Sequence, residues 1–244
     1  METEAGVGRS NAFAAILAGG SGTRMGNLEK PKQFMMLGSK PILIHTVEKF
    51  CVSNCFDAVV VLCPEPWLRQ TRDLLRKHCP LFADRVSVTA GGATRNDTVM
   101  SAIAYIEENF PVDAESVIVT HDAVRPFVSQ RIIQQNIQAA RAMGACDTVI
   151  PATDTIVESV DGEAISAIPD RRYLYQGQTP QSFNLVKFKR LMESLTEDEK
   201  GILTDACKVF VLRGEQVALV EGDSSNMKIT YPQDMRLAQA LLEG

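Results

Sequence analysis

The 244-residue sequence predicts an α/β fold with a mainly parallel, twisted sheet that is flanked by helices. Short apolar runs alternate with segments of helical pattern, which is typical of strand–helix–strand units with right-handed crossovers. A glycine-rich turn directly follows the first apolar run, and such sheets bind ligands where their strands end. Residues 154–168 break this rhythm, because they alternate apolar and polar residues around Asp161-Gly162 and predict a β-hairpin.

Composition limits the classes of function. The chain is 45% hydrophobic with a net charge of −5, so it has a proper core and no overall attraction to nucleic acid or to an anionic membrane. No apolar window is long enough for a membrane span. The six cysteines form no C-x-x-C pair, which favours reduced cysteines in a cytoplasmic protein. Residues 1–11 are polar and predict a disordered tail, so residues 12–244 are expected to form a single domain.

The individual elements follow from local patterns. Apolar, β-branched runs are typical of buried parallel strands. Helices are expected where apolar residues recur at helical spacing, and proline is tolerated in their first turn. Strands are predicted at residues 13–18, 58–63, 86–89, 117–120, 145–151 and 217–220. Helices are predicted from Pro41 to 50, over 67–79, from the 91–98 turn to Ile106, from Thr204 or Asp205 as cap, and over 232–242.

The turn after the first strand has the features of a polyphosphate site. Gly19, Gly20 and Gly22 leave backbone N–H groups unobstructed, while Arg24 and Lys32 add two cations. The spacing matches neither the dinucleotide motif G-x-G-x-x-G nor the P-loop G-x-x-x-x-G-K-[ST]. A strand that simply ends in a flexible turn is the alternative, which the two cations disfavour.

Two further strand ends carry candidate ligand groups. Gly91-Gly92 permits close approach of a base or ribose, and residues 96–98 offer hydrogen-bonding groups and helix caps. A plain capped turn is the alternative. Asp122 follows a buried strand, where one carboxylate can bind Mg²⁺ together with substrate phosphates, unless it merely forms a turn. The neighbouring His121 is a candidate general base, but a histidine held by packing or hydrogen bonds is favoured.

These motifs resemble those of one enzyme family. Leu17-Ala18-Gly19-Gly20-x-Gly22-x-Arg24-Met25, followed by Pro31-Lys32-Gln33-Phe34, is similar to the opening of nucleotidyltransferases that couple CTP to a sugar-alcohol phosphate. Two branches fit, methylerythritol-phosphate cytidylyltransferase and ribitol-5-phosphate cytidylyltransferase. The resemblance implies a Rossmann-like sheet, Mg²⁺-dependent transfer, and a homodimer formed through a protruding β-arm at about residues 152–172. An arm that folds back on its own domain is the alternative.

The resemblance also implies roles for individual residues. The expected catalytic residues are Arg24, Lys32 and Lys228, with Asp122 as the metal ligand. The residues expected to bind CTP are Leu17, Ala18, Gly19, Gly20, Gly22, Gly91, Gly92, Arg95, Asn96, Thr98, Asp122 and Ala123. Those expected to bind the second substrate are Arg125, Thr155, Arg171, Thr179 and Lys228. Solvated surface arginines are the alternative for Arg171 and its neighbour Arg172.

The identity of the second substrate rests on four segments. Residues 120–127, 154–159, 175–183 and 203–208 look closer to the ribitol branch, whose product CDP-ribitol serves teichoic acid or capsule synthesis. Methylerythritol 4-phosphate, a precursor in isoprenoid synthesis, is the alternative. The glycine spacing disfavours a dehydrogenase. The presence of all the expected charged residues disfavours an inactive binding module.

Overall fold

A seven-stranded sheet forms the centre of the protein. The computed structural model describes residues 11–20, 25 and 30–243. The strands are β1 (Ala12–Leu17), β2 (Met36–Leu37), β3 (Lys40–Pro41), β4 (Ala58–Cys63), β5 (Val86–Ala90), β6 (Val117–Asp122), β7 (Ala145–Pro151), β8 (Tyr175–Asn184) and β9 (Ala218–Glu221). The large sheet has the order β5-β4-β1-β6-β8-β7-β9, while β2 and β3 pair separately.

Helices connect most of these strands. They are α1 (Ile42–Val52), α2 (Leu68–His78), α3 (Arg95–Asn109), α4 (Gln130–Met143), α5 (Leu185–Glu193), α6 (Glu197–Gly201), α7 (Lys208–Leu212) and α8 (Pro232–Glu243). The predicted helices at 41–50, 67–79 and 232–242 are confirmed with small shifts of their ends. No helix among the described residues is both long and apolar enough to cross a membrane.

The predicted fold class is confirmed. Strand β1 pairs in parallel with β4 and β6, β4 with β5, and β7 with β9. Strand β8 runs antiparallel to both of its neighbours, β6 and β7. The sheet is therefore mainly parallel, and the carboxyl ends of β1, β4, β5 and β6 lie along one edge.

Strand β8 is an element that the sequence patterns do not predict, as are helices α4 and α5. It contains no β-branched run, and its centre buries the polar residues Gln178, Thr179, Gln181 and Ser182. Hydrogen bonds make this burial tolerable, since each of these side chains has a partner, such as Ser182 Oγ, which donates to Asn136 Oδ1 at 3.0 Å. Tertiary hydrogen bonding thus overrides local pattern here.

The sheet is covered on both faces. Along β1, Ala14 and Ile16 pack into the core on the side of α1 and α4, while Phe13 and Ala15 pack on the side of α3 and α5. A strand that is buried on both faces has no solvent-facing positions, so polar residues do not alternate with apolar ones along it. This explains the continuous apolar run in the sequence.

The segment between β7 and β8 reverses direction as predicted, but it forms less strand than a regular hairpin. Its described residues contain a single β-bridge, Glu158 with Ala167, where the Glu158 N–H donates to the Ala167 carbonyl at 2.8 Å. The Asp161 carboxylate accepts hydrogen bonds from Glu163 and Ala164 and so shapes the turn. A two-stranded ribbon without support is marginal in water, so the short ladder is expected.

The helix start predicted at residues 203–208 is wrong in detail. Helix α7 begins at Lys208, and Cys207, rather than Thr204 or Asp205, occupies its cap position. The Asp205 carboxylate accepts the Cys207 N–H at 2.7 Å just ahead of the helix. The Asp side chain therefore forms a local turn, which competes with helix at the same sequence positions.

Candidate active site

A cavity of about 270 Å³ opens at the edge where the parallel strands end. It brings together the two glycine-bearing turns, the Asp122 carboxylate at the end of β6 and Lys228. Its described lining residues are Leu17, Gly19, Gly20, Gly92, Ala93, Thr94, Arg95, Thr98, Asp122 and Lys228. The sequence-predicted residues from four separate segments therefore converge on one site.

Backbone pairing fixes the floor of this cavity. The Ala18 N–H donates to the Leu62 carbonyl at 2.7 Å, and the Ala123 N–H donates to the Leu17 carbonyl at 3.0 Å. An added Cβ at Gly19 or Gly20 would meet no described atom within 4 Å. Packing against the described residues therefore does not require glycine at these two positions.

Asp122 lies at the centre of a cluster of cations. Its Oδ2 is 2.8 Å from Lys228 Nζ and 3.7 Å from Arg125 Nε, and its Oδ1 is 3.9 Å from Arg95 Nη2. Burial alone would raise the pKa of Asp122, but the positive charges of Arg95, Lys228 and Arg125 lower it well below its usual range. The carboxylate is therefore ionised at neutral pH, as a metal ligand must be.

His121 is a packed, neutral histidine, as favoured by the sequence. It is fully buried, and its Nε2 lies 3.0 Å from the Arg125 carbonyl oxygen, which can only accept a hydrogen bond. The proton is therefore on Nε2, so Nδ1 accepts from Thr179 Oγ1 at 3.0 Å, and Thr179 Oγ1 in turn accepts from the Asp122 N–H at 3.1 Å. Burial lowers the pKa of His121 to about 4. This series of hydrogen bonds positions Asp122. Both ring nitrogens of His121 are already engaged in it, so neither is available to a substrate.

The turn before α3 is built on a capping box. Thr94 Oγ1 accepts the Asp97 N–H at 3.1 Å, and the Asp97 carboxylate accepts the Thr94 N–H at 3.0 Å. The cap is thus Thr94 and not one of residues 96–98. Gly92 is required sterically, because an added Cβ would lie 2.6 Å from the Asp97 carbonyl carbon. The turn therefore holds Arg95 at the mouth of the cavity.

Some predicted nucleotide-site residues form hydrogen bonds that hold the turn itself. The Gly91 N–H donates to the Cys63 carbonyl at 3.0 Å, which continues the pairing of β4 and β5. Thr98 Oγ1 donates to the Thr94 carbonyl at 2.8 Å and accepts the Gly92 N–H at 3.1 Å. Asn96 is buried and lines a second cavity of about 470 Å³, which also includes Met192 and Leu203. Their predicted contacts with CTP stay predictions.

Three other predicted site residues are buried. Arg125 donates from Nη1 to the Asn226 carbonyl at 2.8 Å, and Thr179 lies within the His121 chain. Lys32 is only 6% exposed, in a short 3-10 turn beside the first glycine turn. The burial of Arg125 and Thr179 favours a role in positioning Asp122 over direct contact with a substrate.

The remaining predicted residues lie away from the cavity or outside the described residues. Thr155 and Arg171 are exposed at the base of the arm, where Arg171 Nη1 donates to the Thr153 carbonyl at 2.6 Å. Neither lines the cavity. Gly22 and Arg24 lie outside the described residues.

A cluster with two carboxyl groups, Asp147 and Asp205, lies near the site and was not predicted by the motifs. The amide nitrogen of Gln181 donates to Asp147 Oδ1 at 3.1 Å and to Asp205 Oδ2 at 2.7 Å, so one side chain bridges two carboxyl groups. Burial, followed by the charge of Asp205, raises the pKa of Asp147 from 3.8 to about 7. Nothing in the local sequence signals this cluster, because its three residues come from β7, β8 and the turn before α7.

Replacing Asp205 with Asn is expected to stabilise the protein at alkaline pH. The pKa of Asp147 is about 7 in the folded state, so between about pH 4 and 7 the folded protein binds more protons than the unfolded chain. Stability therefore falls as pH rises through this range. Removing the like charge should raise the unfolding free energy at pH 8 by about 1 to 2 kcal/mol. Urea unfolding at pH 8 and pH 4 checks this, and equal effects at both pH values would contradict it.

The sequence also matches a known family. The family model described as 2-C-methyl-D-erythritol 4-phosphate cytidylyltransferase, IspD, matches residues 12–244. The chain belongs to this family. The match spans the sheet, the cavity and the arm, and it makes the chain a cytidylyltransferase, as the motifs predicted. Membership of the IspD family does not by itself identify the acceptor that receives the CMP group.

Solved structures of the IspD family share this fold. The 4-diphosphocytidyl-2C-methyl-D-erythritol synthase of Anaerococcus prevotii is 26% identical, with a TM-score of 0.76 over 96% of each chain. The 2-C-methyl-D-erythritol 4-phosphate cytidylyltransferase of Thermus thermophilus is 27% identical, with a TM-score of 0.72 over 95% of this chain and 98% of that one. The corresponding enzyme of Francisella tularensis is 25% identical, with a TM-score of 0.78 over 94% and 99%.

Proposed function

We propose that this chain transfers CMP from CTP to D-ribitol 5-phosphate, forming CDP-ribitol and releasing pyrophosphate. The observation that carries the nucleotidyl-transfer part of the proposal is the Asp122–Lys228 pair at the strand-end cavity, where an ionised carboxylate lies 2.8 Å from an ammonium group whose side chain is 40% exposed. The carboxylate suits the hard cation that accompanies a triphosphate. The ammonium suits a phosphate that enters from solvent.

The proposed reaction is a displacement at phosphorus. An oxygen of the acceptor phosphate attacks the α-phosphorus of CTP and forms a new P–O bond. The bond from the α-phosphorus to the oxygen that bridges to the β-phosphate breaks, and pyrophosphate leaves with that oxygen and the electron pair. The attacking oxygen is already anionic, so no general base is needed and the buried His121 has no part in the step. The protein contributes position and charge neutralisation.

Three cations are proposed to neutralise charge during this step. Lys228 would hold the incoming phosphate beside the α-phosphorus, while Arg24 and Lys32 would neutralise charge that builds on the triphosphate. Lys228 is the best placed of the described groups, since its Nζ is at the cavity and its side chain reaches solvent. The roles of Arg24 and Lys32 are carried over from the glycine-turn motif.

Asp122 fits Mg²⁺ as a single-carboxylate ligand. The carboxylate is ionised, and its Oδ1 lies 3.9 Å from Arg95 Nη2, whereas Lys228 Nζ occupies Oδ2 at 2.8 Å. Asp122 would therefore be the protein group that holds the ion, since Mg²⁺ commonly uses one or two carboxylates together with substrate phosphates. When bound, Mg²⁺ would supply positive charge to the phosphate oxygens of CTP.

Arg171 and Thr155 are proposed to hold the acceptor phosphate from the base of the arm. The neighbouring Arg172 forms an ion pair with Asp170, with Nη2 2.6 Å from Oδ2. Arg171 forms no ion pair with any described carboxylate and makes one hydrogen bond to the Thr153 carbonyl. A planar guanidinium that is not neutralised by a carboxylate is the better of the two for bidentate phosphate binding.

Methylerythritol 4-phosphate is the second candidate acceptor, and the comparisons support it more directly than ribitol 5-phosphate. The matching family model and the three solved relatives all carry names based on methylerythritol. The ribitol proposal rests instead on residues 120–127, 154–159, 175–183 and 203–208 of this sequence. Relatives that are 25 to 28% identical share the fold and the nucleotide chemistry, which leaves the acceptor open to a direct test.

The deciding experiment measures pyrophosphate release with CTP and Mg²⁺ on the two acceptors side by side. We expect turnover with ribitol 5-phosphate and a much lower kcat/KM with methylerythritol 4-phosphate. The reverse preference would reject the ribitol proposal and assign the chain to isoprenoid precursor synthesis. No release with either acceptor would reject both and favour an inactive binding module. Omission of Mg²⁺, with EDTA present, should abolish turnover.

A homodimer formed through the arm is also proposed. The arm exposes large apolar side chains to solvent in the single chain, among them Val160, Ile165 and Ile168, and Val160 is 94% exposed. Apolar side chains concentrated on a short ribbon are typical of a surface that is covered by a partner. A second copy of the chain is the occupant that the family resemblance implies.

Size-exclusion chromatography with light scattering tests the dimer. We expect a dimer at micromolar concentration and a shift to monomer when Val160 and Ile165 are both replaced by Asp. The matched control is Leu81→Asp, because Leu81 is 91% exposed but lies far from the arm in sequence, between α2 and β5. A monomeric parent protein, or a monomer produced equally by Leu81→Asp, would contradict arm-mediated assembly.

A further inference from the structure

The segment that carries Lys228 has no regular secondary structure. Residues 222–230 form neither helix nor strand, yet Lys228 Nζ is held 2.8 Å from the Asp122 carboxylate. A lysine has a long, flexible side chain, so a mobile backbone at this position would add to the range of positions open to the ammonium group. Something other than a helix or a strand must therefore fix the backbone of this segment.

Asn226 is the point at which the segment is attached to the sheet. Its side chain is fully buried, and its Nδ2 donates to the Thr179 carbonyl at 2.8 Å and to Gln178 Oε1 at 3.0 Å, both in β8. Its own carbonyl accepts a hydrogen bond from Arg125 Nη1 at 2.8 Å. One residue thus connects the segment to β8 and to the arginine that faces Asp122.

Gln178 completes the attachment. Its Nε2 donates to the Asp223 carbonyl at 2.8 Å, and its Oε1 accepts from Asn226. The approach is so close that Gly222 has no room for a side chain, since an added Cβ would lie 2.5 Å from Gln178 Oε1. The start of the segment is therefore held against β8 by the directional hydrogen bonds of the Gln178 and Asn226 side-chain amides.

The far end of the segment is attached independently. The Ile229 N–H donates to the Val124 carbonyl at 2.9 Å, and the Ile229 side chain is fully buried with Leu37, Ile42 and Ala238. Lys228 lies between the two attachments, so its backbone is fixed on both sides while its side chain reaches the cavity. The second attachment explains why loss of the first should disturb the segment without unfolding it.

We propose that Asn226 is a positioning residue that holds Lys228 against Asp122 and thereby sets the geometry of phosphate transfer. The proposal rests on the role of Lys228 under the proposed function. Asn226 itself touches neither substrate, because it is buried behind the segment. A displacement of about 1 Å at a reacting group can cost 100-fold in rate, so Asn226→Ala should lower kcat/KM for the acceptor by about 10- to 100-fold.

A double-mutant cycle separates positioning from a merely structural role. If Asn226 acts through Lys228, the double variant N226A/K228A should be no slower than K228A alone, because nothing is left to position. A further drop equal to the effect of N226A alone would overturn the proposal. Unchanged kcat/KM in N226A would overturn it as well. The cycle is run with whichever acceptor supports turnover in the parent enzyme.

Asn136→Ala is the matched control. Asn136 is also fully buried and also donates two hydrogen bonds from Nδ2, to the Ile132 carbonyl at 3.0 Å and to Thr148 Oγ1 at 2.8 Å. It lies in α4, and these bonds connect it to α4 itself and to β7, not to the Lys228 segment. We expect Asn136→Ala to lower the melting temperature and to leave kcat/KM of the folded enzyme unchanged. An equal loss of kcat/KM in both variants would mean that the effect is general destabilisation.

A readout without turnover keeps the inference separate from the proposed function. The rate at which an acylating reagent modifies Lys228, followed by mass spectrometry, reports how firmly the ammonium group is held by Asp122. We expect faster modification of Lys228 in N226A and no change in N136A, even if neither acceptor is a substrate. An unchanged rate in N226A would overturn the proposal. Gln178→Ala, which removes one acceptor of the same amide, serves if N226A does not fold.

Discussion

Replacing Lys228 with Ala is expected to lower kcat/KM for CMP transfer by about 100- to 1000-fold, which corresponds to about 3 to 4 kcal/mol of transition-state stabilisation. The ammonium group lies 2.8 Å from the carboxylate of Asp122 and is the described cation at the cavity that reaches solvent most freely. Charge that develops on the phosphates would lose this partner. The fold should survive, because Arg95 and Arg125 still face Asp122.

The measurement is pyrophosphate release over a range of acceptor and CTP concentrations. Lys189→Ala is the matched control, since Lys189 also pairs with a carboxylate at 2.8 Å, Glu107, but on the outer surface of α3 and α5. Exposed pairs of this kind contribute about 0 to 1 kcal/mol to stability and nothing to the reaction. If K228A kept the parental rate, or lost no more than K189A, the assigned role of Lys228 would be wrong.

The local sequence pattern predicted those strands of the sheet that are buried on both faces. The apolar runs at β1, β4 and β6 identify these strands because both faces of each are buried. Strand β8 escaped prediction because it carries Gln178, Thr179 and Gln181 in the middle of a sheet. Only their hydrogen-bond partners, which come from other segments, make such a strand possible.

The sequence motifs predicted residues that the structure brings together at one cavity, but they gave no signal for residues that act from buried positions. Asp122 was predicted from its place at the end of a strand and Lys228 from the family resemblance, and the structure brings their charged groups within 2.8 Å of each other. Arg125 and Thr179 are buried, and their expected contacts with the acceptor stay predictions. Asn226 carried no signal of its own, since a buried asparagine can be recognised only from the groups to which it donates.

Replacing Asp122 with Asn is expected to affect both activity and stability strongly. The amide keeps the shape of the side chain but removes the negative charge that faces Arg95, Arg125 and Lys228. Breaking a buried ion pair by removing one partner costs about 3 to 5 kcal/mol, because the remaining charges are left without a partner. Loss of the proposed Mg²⁺ ligand should lower kcat/KM by about 100-fold or more.

The pH dependence of this effect has a definite sign. The pKa of Asp122 is lowered in the folded state, so its contribution to stability is present at neutral pH and is lost as pH falls below about 4. The difference in unfolding free energy between the parent protein and D122N should therefore be largest near pH 7 and should shrink in acid. Urea unfolding at several pH values measures this difference.

Asp147→Asn provides the matched control, because the surroundings of the two aspartates shift their pKa values in opposite directions. Burial and Asp205 raise the pKa of Asp147 to about 7, so replacement by a neutral amide removes a carboxylate that is unfavourable at alkaline pH. We expect D147N to equal or exceed the parent in stability at pH 8 and to retain CMP transfer, whereas D122N loses both. If the two variants behaved alike, the cations around Asp122 would not be what makes its carboxylate essential.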